Sequence, residues 1–141
     1  MVGGRVIPVD AGMIRGGFER ETRKVGNFAG PVTWFSLPEG SQLCVRPPGV
    51  LFGLFVVVGP RSGVVRMEEN GRRTEVSLLD RWCSYERIST CILAMDFVPG
   101  SKPDGDVWIE LSPDLPDYTA CPKLEVIPKE RRLDVIALFV L

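Results

Sequence analysis

The residues that could do chemistry in this 141-residue chain are carboxylates, arginines and thiols, because the sequence contains no histidine. That composition excludes Ser–His and Cys–His nucleophile activation, His-ligated zinc and an imidazole pH switch. Asp104, Asp106 and Glu110 are oxygen ligands of the kind that calcium prefers, but their spacing is not that of an EF-hand loop, and Asp104-Gly105 is also a turn signal. The sequence therefore predicts no catalytic residue, no metal site and no cofactor.

The thiols and a Gly-rich loop were the other chemical candidates. Cys44, Cys83, Cys91 and Cys121 lack the C-x-x-C spacing of a zinc ribbon. Reduced, mostly buried thiols of an intracellular protein fit this pattern best, and a disulfide between Cys83 and Cys91 stays open as the alternative. The segment 59–63 (GPRSG) lacks the Gly-Lys-Ser/Thr that closes a phosphate loop, so it predicts a turn between strands.

Charge and hydropathy limit which partner classes and which cellular compartment we expect for this protein. Lys and Arg number 17 against 18 Asp and Glu, for a net charge of −1, whereas a nucleic-acid-binding domain usually carries a basic excess. Nucleic acid is therefore not expected as a partner. No uncharged stretch is longer than Pro47 to Pro60, which is too short to span a bilayer, and the first residues lack the apolar core of a signal peptide. We expect a soluble intracellular protein, in the cytoplasm or nucleus of a host cell, or in the virion if it is viral.

The elements that must position these residues are short strands. Gly (15) and Pro (12) punctuate short runs of Val, Ile, Leu and Phe, and no stretch shows a helical stripe. The pattern predicts strands at 4–9, 31–36, 42–46, 50–58, 63–69, 72–79, 88–97, 106–111, 123–127 and 134–141. A chain of this length forms a single domain, here residues 1–141. Nine or ten short strands in it predict an all-β, jelly-roll-like sandwich or distorted barrel.

The dipeptide Asn70-Gly71 predicts one hairpin in detail, because both residues tolerate the positive φ of a type I′ turn. That turn pairs residues whose numbers sum to 141. The opposite-charge pairs in this register are Glu69–Arg72, Glu68–Arg73 and Arg66–Glu75. Strand alternation places Val65, Met67 and Val76 together on one, dry face and Arg66, Glu68, Arg73 and Glu75 on the other, charged face.

Two runs are apolar on both faces, Val50–Val58 and Val135–Leu141. Such a strand is covered on both faces, either by the protein's own core or by a partner subunit. We therefore expect a homo-oligomer or another protein partner to use one of these strands. The candidate interface residues are Val50, Leu51, Phe52, Leu54, Phe55, Phe139, Val140 and Leu141. For the second run, the length and apolarity favour a last sheet strand over a free end captured by a PDZ-type domain.

Five short motifs follow one another between Ala11 and Phe97. They are Ala11-Gly12-Met13-Ile14, Leu37-Pro38-Glu39-Gly40, Arg46-Pro47-Pro48-Gly49, the hairpin from Gly63-Val64-Val65 to Asn70-Gly71, and Tyr85-Glu86-Arg87-Ile88-Ser89 with the apolar run after it. Their order and spacing resemble those of the trimeric deoxyuridine triphosphatases (dUTPases). That family consists of all-β, jelly-roll-like proteins of about this length, so the resemblance implies the same fold.

The residues that this resemblance would make catalytic are replaced. The family's hairpin Asp, which orients the attacking water, corresponds to Arg66, and its deoxyribose-stacking Tyr corresponds to Glu69. The first-motif Asp corresponds to Ile14. The phosphate-binding Arg-Ser corresponds to Pro47-Pro48, and proline offers no amide donor. The family's Gly-rich lid motif has no counterpart. The resemblance therefore implies a non-catalytic relative, of the kind that viruses carry as binding modules.

The sequence thus predicts a non-enzymatic protein-interaction or assembly module and, by resemblance, a viral dUTPase-like pseudoenzyme. Two alternatives stay open. The compact size, Pro- and Gly-rich loops and near-neutral charge also fit a minor capsid, capsid-decorating or other jelly-roll protein of a viral particle. An active dUTP pyrophosphatase is the least favoured, because of the replaced residues.

Overall fold

A computed structural model describes residues 4–26, 28–69, 71–93 and 105–141 of the chain. Within these residues the protein is all-β, with two sheets of antiparallel strands packed as a sandwich. The strands are β1 (Arg5–Pro8), β2 (Ile14–Arg15), β3 (Glu19–Lys24), β4 (Pro31–Leu37), β5 (Gln42–Val45), β6 (Leu51–Val58), β7 (Val64–Glu69), β8 (Arg72–Ser77), β9 (Arg87–Ile92), β10 (Val107–Leu111) and β11 (Leu133–Val140). The all-β sandwich predicted from the sequence is confirmed.

The chain crosses between the two sheets at every connection except the two hairpins, β3–β4 and β7–β8. One sheet has the order β3-β4-β11-β6-β9, and β1 joins it by pairing with β11. The other sheet has the order β2-β5-β10-β7-β8. β11 is the central element of the larger sheet. It pairs with β4 and then β1 along one edge, and with β6 along the other.

The predicted hairpin is present in the predicted register. Val64 pairs with Ser77 and Glu69 with Arg72, so every pair sums to 141. Gly71 has a φ of +77°, as the turn requires, and Asn70 lies outside the described residues. Val65 and Met67 are buried in the core on one face of the hairpin. On the other face Arg66 Nε lies 3.0 Å from Glu75 Oε1.

The core lies between the sheets and takes up the inward-facing side chains of the two apolar runs, whereas the outward-facing Val57 is buried in a second, smaller cluster with Val25 and Trp34. β6 and β11 are neighbours in the middle of the larger sheet. Alternate side chains of both strands point inward and pack against the smaller sheet, including Leu54 and Val56 from β6 and Leu138 and Val140 from β11. The run Val135–Leu141 is thus part of a sheet strand, as the length of the run had favoured.

The structure differs from the predicted strands in three respects. Residues 123–127 form no strand. The Leu124 amide instead donates to the Cys121 carbonyl at 3.1 Å, closing a turn, and Val126 is 75% exposed. β2 and β3 were missed, because β3 is built almost wholly from charged residues and shows no apolar alternation. β9 ends at Ile92, whereas the prediction ran to residue 97, and residues 94–97 lie outside the described residues.

Candidate interaction surface

The outer face of the larger sheet, the face turned away from the smaller sheet, is apolar at one end. A row of cross-strand partners runs over four strands: Val6 pairs with Phe139, Phe139 with Gly53, and Gly53 with Ile92. The two ends of the row are 57% exposed at Val6 and 38% exposed at Ile92. Because directly paired residues share a face, this row is a surface of the protein and not part of its core.

Three phenylalanines form the centre of this surface. The ring of Phe139 meets that of Phe52 edge to face at 5.8 Å between centroids, and that of Phe55 at 6.0 Å. All three side chains are half-buried, and Gly4 packs directly on Phe139, where a Cβ would lie 2.4 Å from the ring. We call the set Val6, Phe52, Phe55, Ile92 and Phe139 the outer aromatic patch.

The eight candidate interface residues predicted from the sequence divide between this patch and the core. Phe52, Phe55 and Phe139 belong to the patch. Leu51, Leu54 and Val140 are almost fully buried between the sheets, so they hold the sandwich together. Val50 and Leu141 pair through their backbones, with N–H to carbonyl distances of 3.2 and 2.9 Å. Val6 and Ile92 were missed, because their places on the surface depend on the strand pairing.

The other end of the same face is closed by a charged network around Asp134. This carboxylate accepts a hydrogen bond from Trp34 Nε1 at 3.1 Å and two from Arg61, from Nε at 3.0 Å and Nη2 at 2.9 Å. Ser36, its cross-strand partner, also hydrogen-bonds to it. Burial raises the pKa of Asp134 above its ordinary value, and the bonds from Ser36, Arg61 and Trp34 oppose that rise.

Two further acids and an arginine extend the network across the sheet. Glu21 accepts from Arg61 and from Arg23, the latter at 3.0 Å. Arg23 also donates from Nε to Glu86 at 3.0 Å, and its guanidinium carbon lies 4.7 Å from the centroid of the Trp34 ring. We call Glu21, Arg23, Arg61, Glu86 and Asp134 the charged brace. It covers the indole and ties β3, β11 and two loops together.

The charged brace was not predicted, although one signal for it was present in the sequence. Asp134 is the charged residue inside an otherwise apolar strand, and a charge in that position needs a buried partner. Its partner Arg61 lies in the GPRSG segment, which forms a turn between β6 and β7 as expected. The Gly59 amide donates to Ser62 Oγ at 2.9 Å within that turn.

The outer face of the smaller sheet is charged instead of apolar. Arg66 contacts Glu75 and also Glu110, the latter at 3.6 Å, and Gln42 donates to Glu110 at 3.2 Å. Trp108 lies on this face between β5 and β7 and is partly exposed. The two sheets of the sandwich therefore present different outer faces, one wet and ion-paired and one with an apolar patch.

The positions singled out by the dUTPase resemblance do not form one site. Arg66 is held on the outer face of the smaller sheet, while Glu69, three residues on, lies on the opposite face of β7 by strand alternation. Ile14 is buried against the inter-sheet core. Pro47 and Pro48 lie between β5 and β6.

The remaining chemical candidates have structural partners. All four cysteines are free thiols, so Cys83 and Cys91 form no disulfide. Burial raises the pKa of Cys91 to about 11. Asp106 lies 3.3 Å from Arg46, Glu110 contacts Arg66, and Asp104 is outside the described residues. No group of three or more metal-ligating side chains occurs in the part of the chain that the structure describes.

The described residues include no helix long and apolar enough to cross a membrane. Comparisons with known protein families, with curated proteins and with solved structures found no match to this chain.

Proposed function

We propose that this protein is a non-enzymatic assembly module that binds a second copy of itself through the outer aromatic patch. The observation that carries the proposal is the row Val6–Phe139–Gly53–Ile92, which ends in exposed apolar side chains on both sides. The patch itself carries no charged side chain, so the surface most complementary to it is another apolar one. A two-fold arrangement of two copies supplies that surface.

The contrast between the two outer faces supports this choice of surface. Charged pairs cover the smaller sheet, and the charged brace covers one end of the larger sheet. At the aromatic end of the larger sheet, the Val6 and Ile92 side chains are 57% and 38% exposed. Contiguous exposed apolar patches on a folded protein mark interaction sites, and aromatic side chains are enriched at the centre of interfaces.

The experiment is a mass measurement in solution with a matched pair of variants. Ile92→Glu places a charge at the edge of the patch, at an exposed position where folding is little affected. Ile127→Glu makes the same change in a loop, at a residue that is 59% exposed and outside the patch. We expect Ile92→Glu to reduce the mass measured by light scattering, and Ile127→Glu to leave it at the wild-type value. Equal masses for the two variants would overturn the proposal.

The non-enzymatic part of the proposal rests on the residues at the family's catalytic positions. Arg66 is engaged by two carboxylates, and a guanidinium cannot act as the base that orients a water. We expect no pyrophosphate release when the protein is incubated with dUTP and magnesium. Turnover that follows the protein through purification, and that is lost on mutation of Arg66, would contradict this.

A further inference from the structure

β8 is an outer strand of the smaller sheet, with β7 as its strand neighbour among the described residues. One hydrogen bond shows which backbone amides of β8 point toward β7 and which point away from it. The Leu78 amide donates to the Gly63 carbonyl at 2.9 Å, and these two residues continue the register of the hairpin. Peptide groups alternate in direction along an antiparallel strand. The amides of Arg73, Glu75 and Ser77 therefore point away from β7, toward the side of β8 that has no strand neighbour among the described residues.

The side chains at this edge have opposite charges two residues apart. Arg73 and Glu75 are both exposed and lie on the outer face of the smaller sheet. Each has one partner on β7: Arg73 Nη2 lies 2.8 Å from Glu68 Oε1, and Glu75 contacts Arg66. The Arg73 side chain nevertheless stays 54% exposed, and that of Glu75 34% exposed.

We propose that two copies of this chain join edge to edge through β8, antiparallel about a two-fold axis at Thr74. In this register Arg73 lies opposite the partner's Glu75, and Glu75 lies opposite the partner's Arg73. Both pairs have outward-pointing amides, so each exchanges two backbone hydrogen bonds. The five-stranded sheet of one copy then continues into that of the other.

The backbone direction and the charges select this register together. In a two-fold pairing, a residue whose amide points outward must lie opposite another such residue. The possible registers therefore differ only in which residue of β8 lies on the two-fold axis, and neighbouring registers differ by one residue. An axis at Arg73 would place Arg73 against its own copy, and an axis at Glu75 would do the same for Glu75. Like charges directly opposite are destabilising. The axis at Thr74 is thus the register near the middle of the strand that places unlike charges opposite each other.

The pairing would also extend charge alternation already present within each copy. Along the outer face, the order across the junction would be Glu110, Arg66, Glu75, then the partner's Arg73 and the partner's Glu68. Neighbours in this row have opposite signs at every step. This charge complementarity identifies a second copy as the occupant of the edge.

The edge at β3 of the larger sheet provides a contrast. The sequence of β3 is Glu19-Arg-Glu-Thr-Arg-Lys24. If two copies paired through β3, like charges would lie opposite each other whichever of the four inner residues lay on the two-fold axis. An axis at Glu21 opposes two glutamates, and an axis at Thr22 opposes Arg20 with Lys24. Charges arranged in this way protect a sheet edge from pairing. The β8 edge lacks that protection in one register.

Three variants test the edge pairing. Arg73→Glu places Glu opposite the partner's Glu75 twice, and we expect it to raise the dimer dissociation constant at least about tenfold. The double variant Arg73→Glu/Glu75→Arg restores unlike pairs across the edge, so it should bind like the wild type. Glu68→Arg is the control, because it breaks the same ion pair within the hairpin without altering the edge.

The measurement is sedimentation velocity over a wide range of protein concentration, with circular dichroism to verify folding. Weakened association in Arg73→Glu, with recovery in the charge-swapped double variant, supports the proposal. Unchanged association in Arg73→Glu overturns it, as does a double variant no tighter than the single one. A loss in Glu68→Arg equal to that in Arg73→Glu would also overturn it, since the effect would then arise within the hairpin.

The edge and the aromatic patch are separate surfaces, so combining their variants distinguishes the two proposals. If both hold, Ile92→Glu leaves an edge dimer, Arg73→Glu leaves a patch dimer, and the two together give a monomer. If Arg73→Glu alone has no effect, the edge proposal fails and the patch stands. If Ile92→Glu alone has no effect, the patch proposal fails and the edge stands.

Discussion

Trp34 and Asp134, one hundred residues apart in the chain, are joined by a hydrogen bond of 3.1 Å from the indole Nε1 to the carboxylate Oδ1. Both side chains are buried on the outer face of the larger sheet. The bond connects β4 to β11, and the same carboxylate holds Arg61 from the turn after β6. One buried acid therefore fixes three separate parts of the chain at one end of a face whose other end is open.

Removing this acid should be costly. Asp134→Ala leaves the guanidinium of Arg61 and the indole N–H of Trp34 without their buried acceptor. Breaking a buried ion pair by removing one partner typically costs about 3–5 kcal/mol of stability. We expect urea denaturation to show a decrease of that size in the free energy of unfolding of Asp134→Ala. Asp114→Ala, at an exposed loop residue, is the control and should change stability by less than about 0.5 kcal/mol. Equal losses of stability in Asp134→Ala and Asp114→Ala would show that Asp134 does not stabilise the charged brace.

Gly53 should not tolerate a side chain. A Cβ at this position would lie 2.4 Å from the carbonyl oxygen of Cys91 on the neighbouring strand, and backbone cannot move aside cheaply. We expect Gly53→Ala to lower the unfolding free energy by about 1–3 kcal/mol, the usual cost of overpacking. Gly30→Ala makes the same change where nothing lies within 4 Å. A melting temperature for Gly53→Ala equal to that of Gly30→Ala would contradict the register of β6 and β9.

A substitution at Gly71 tests the hairpin turn through backbone conformation and not through side-chain contacts. Its φ of +77° is unfavourable for other residues, yet the space around it is open. Gly71→Ala should therefore cost about 1–2 kcal/mol through backbone strain and not through contact. Gly17→Ala, also in open space but without a positive φ, should be nearly neutral. Thermal unfolding of the two variants gives the comparison, and a neutral Gly71→Ala would refute the turn.

The pH dependence of the charged brace has a definite sign. Burial alone would raise the pKa of Glu21, but hydrogen bonds from Arg23 and Arg61 outweigh it and hold that pKa below its ordinary value of 4.5. An acid with a lowered folded pKa stabilises the protein above its unfolded pKa and loses that contribution as pH falls through the folded value. At neutral pH the free energy of unfolding of the wild type should thus exceed that of Glu21→Gln by about 1 kcal/mol.

The difference between these two proteins should shrink steadily once the pH falls below 4.5. Equilibrium unfolding at a series of pH values measures it, with Glu125→Gln as a control at an exposed loop acid. A difference that grew as the pH fell would show that the network does not favour the charged form of Glu21.

The hairpin and the central strands were predictable because local chemistry specifies them. Asn70-Gly71 determines the turn, the turn determines the register, and three pairs of charges agree with it. The run Val50–Val58 is apolar on both faces because one face of β6 packs against the smaller sheet, while the other carries the phenylalanines of the outer aromatic patch and the buried Val57. In both cases the signal is contained in one short, continuous stretch of the chain.

The site was predictable only in part because its residues come from distant strands. Phe52 and Leu54 are both apolar, and their assignment to the outer face or the core depends on register shifts between β6 and β11. Those shifts occur between Val135 and Ala137 and between Phe139 and Val140, and no local pattern reveals them. β3 was missed for a related reason, since a charged strand shows its structure only through its partner, β4.

Sedimentation velocity of the wild type and Ile92→Glu, from low micromolar to millimolar protein, tests most directly whether the outer aromatic patch joins two copies of the chain. We expect the wild type to associate as the protein concentration rises, and Ile92→Glu to require a higher concentration to reach the same mass. A wild type that stays monomeric over the whole range, or an Ile92→Glu variant that associates as tightly as the wild type, would contradict this expectation.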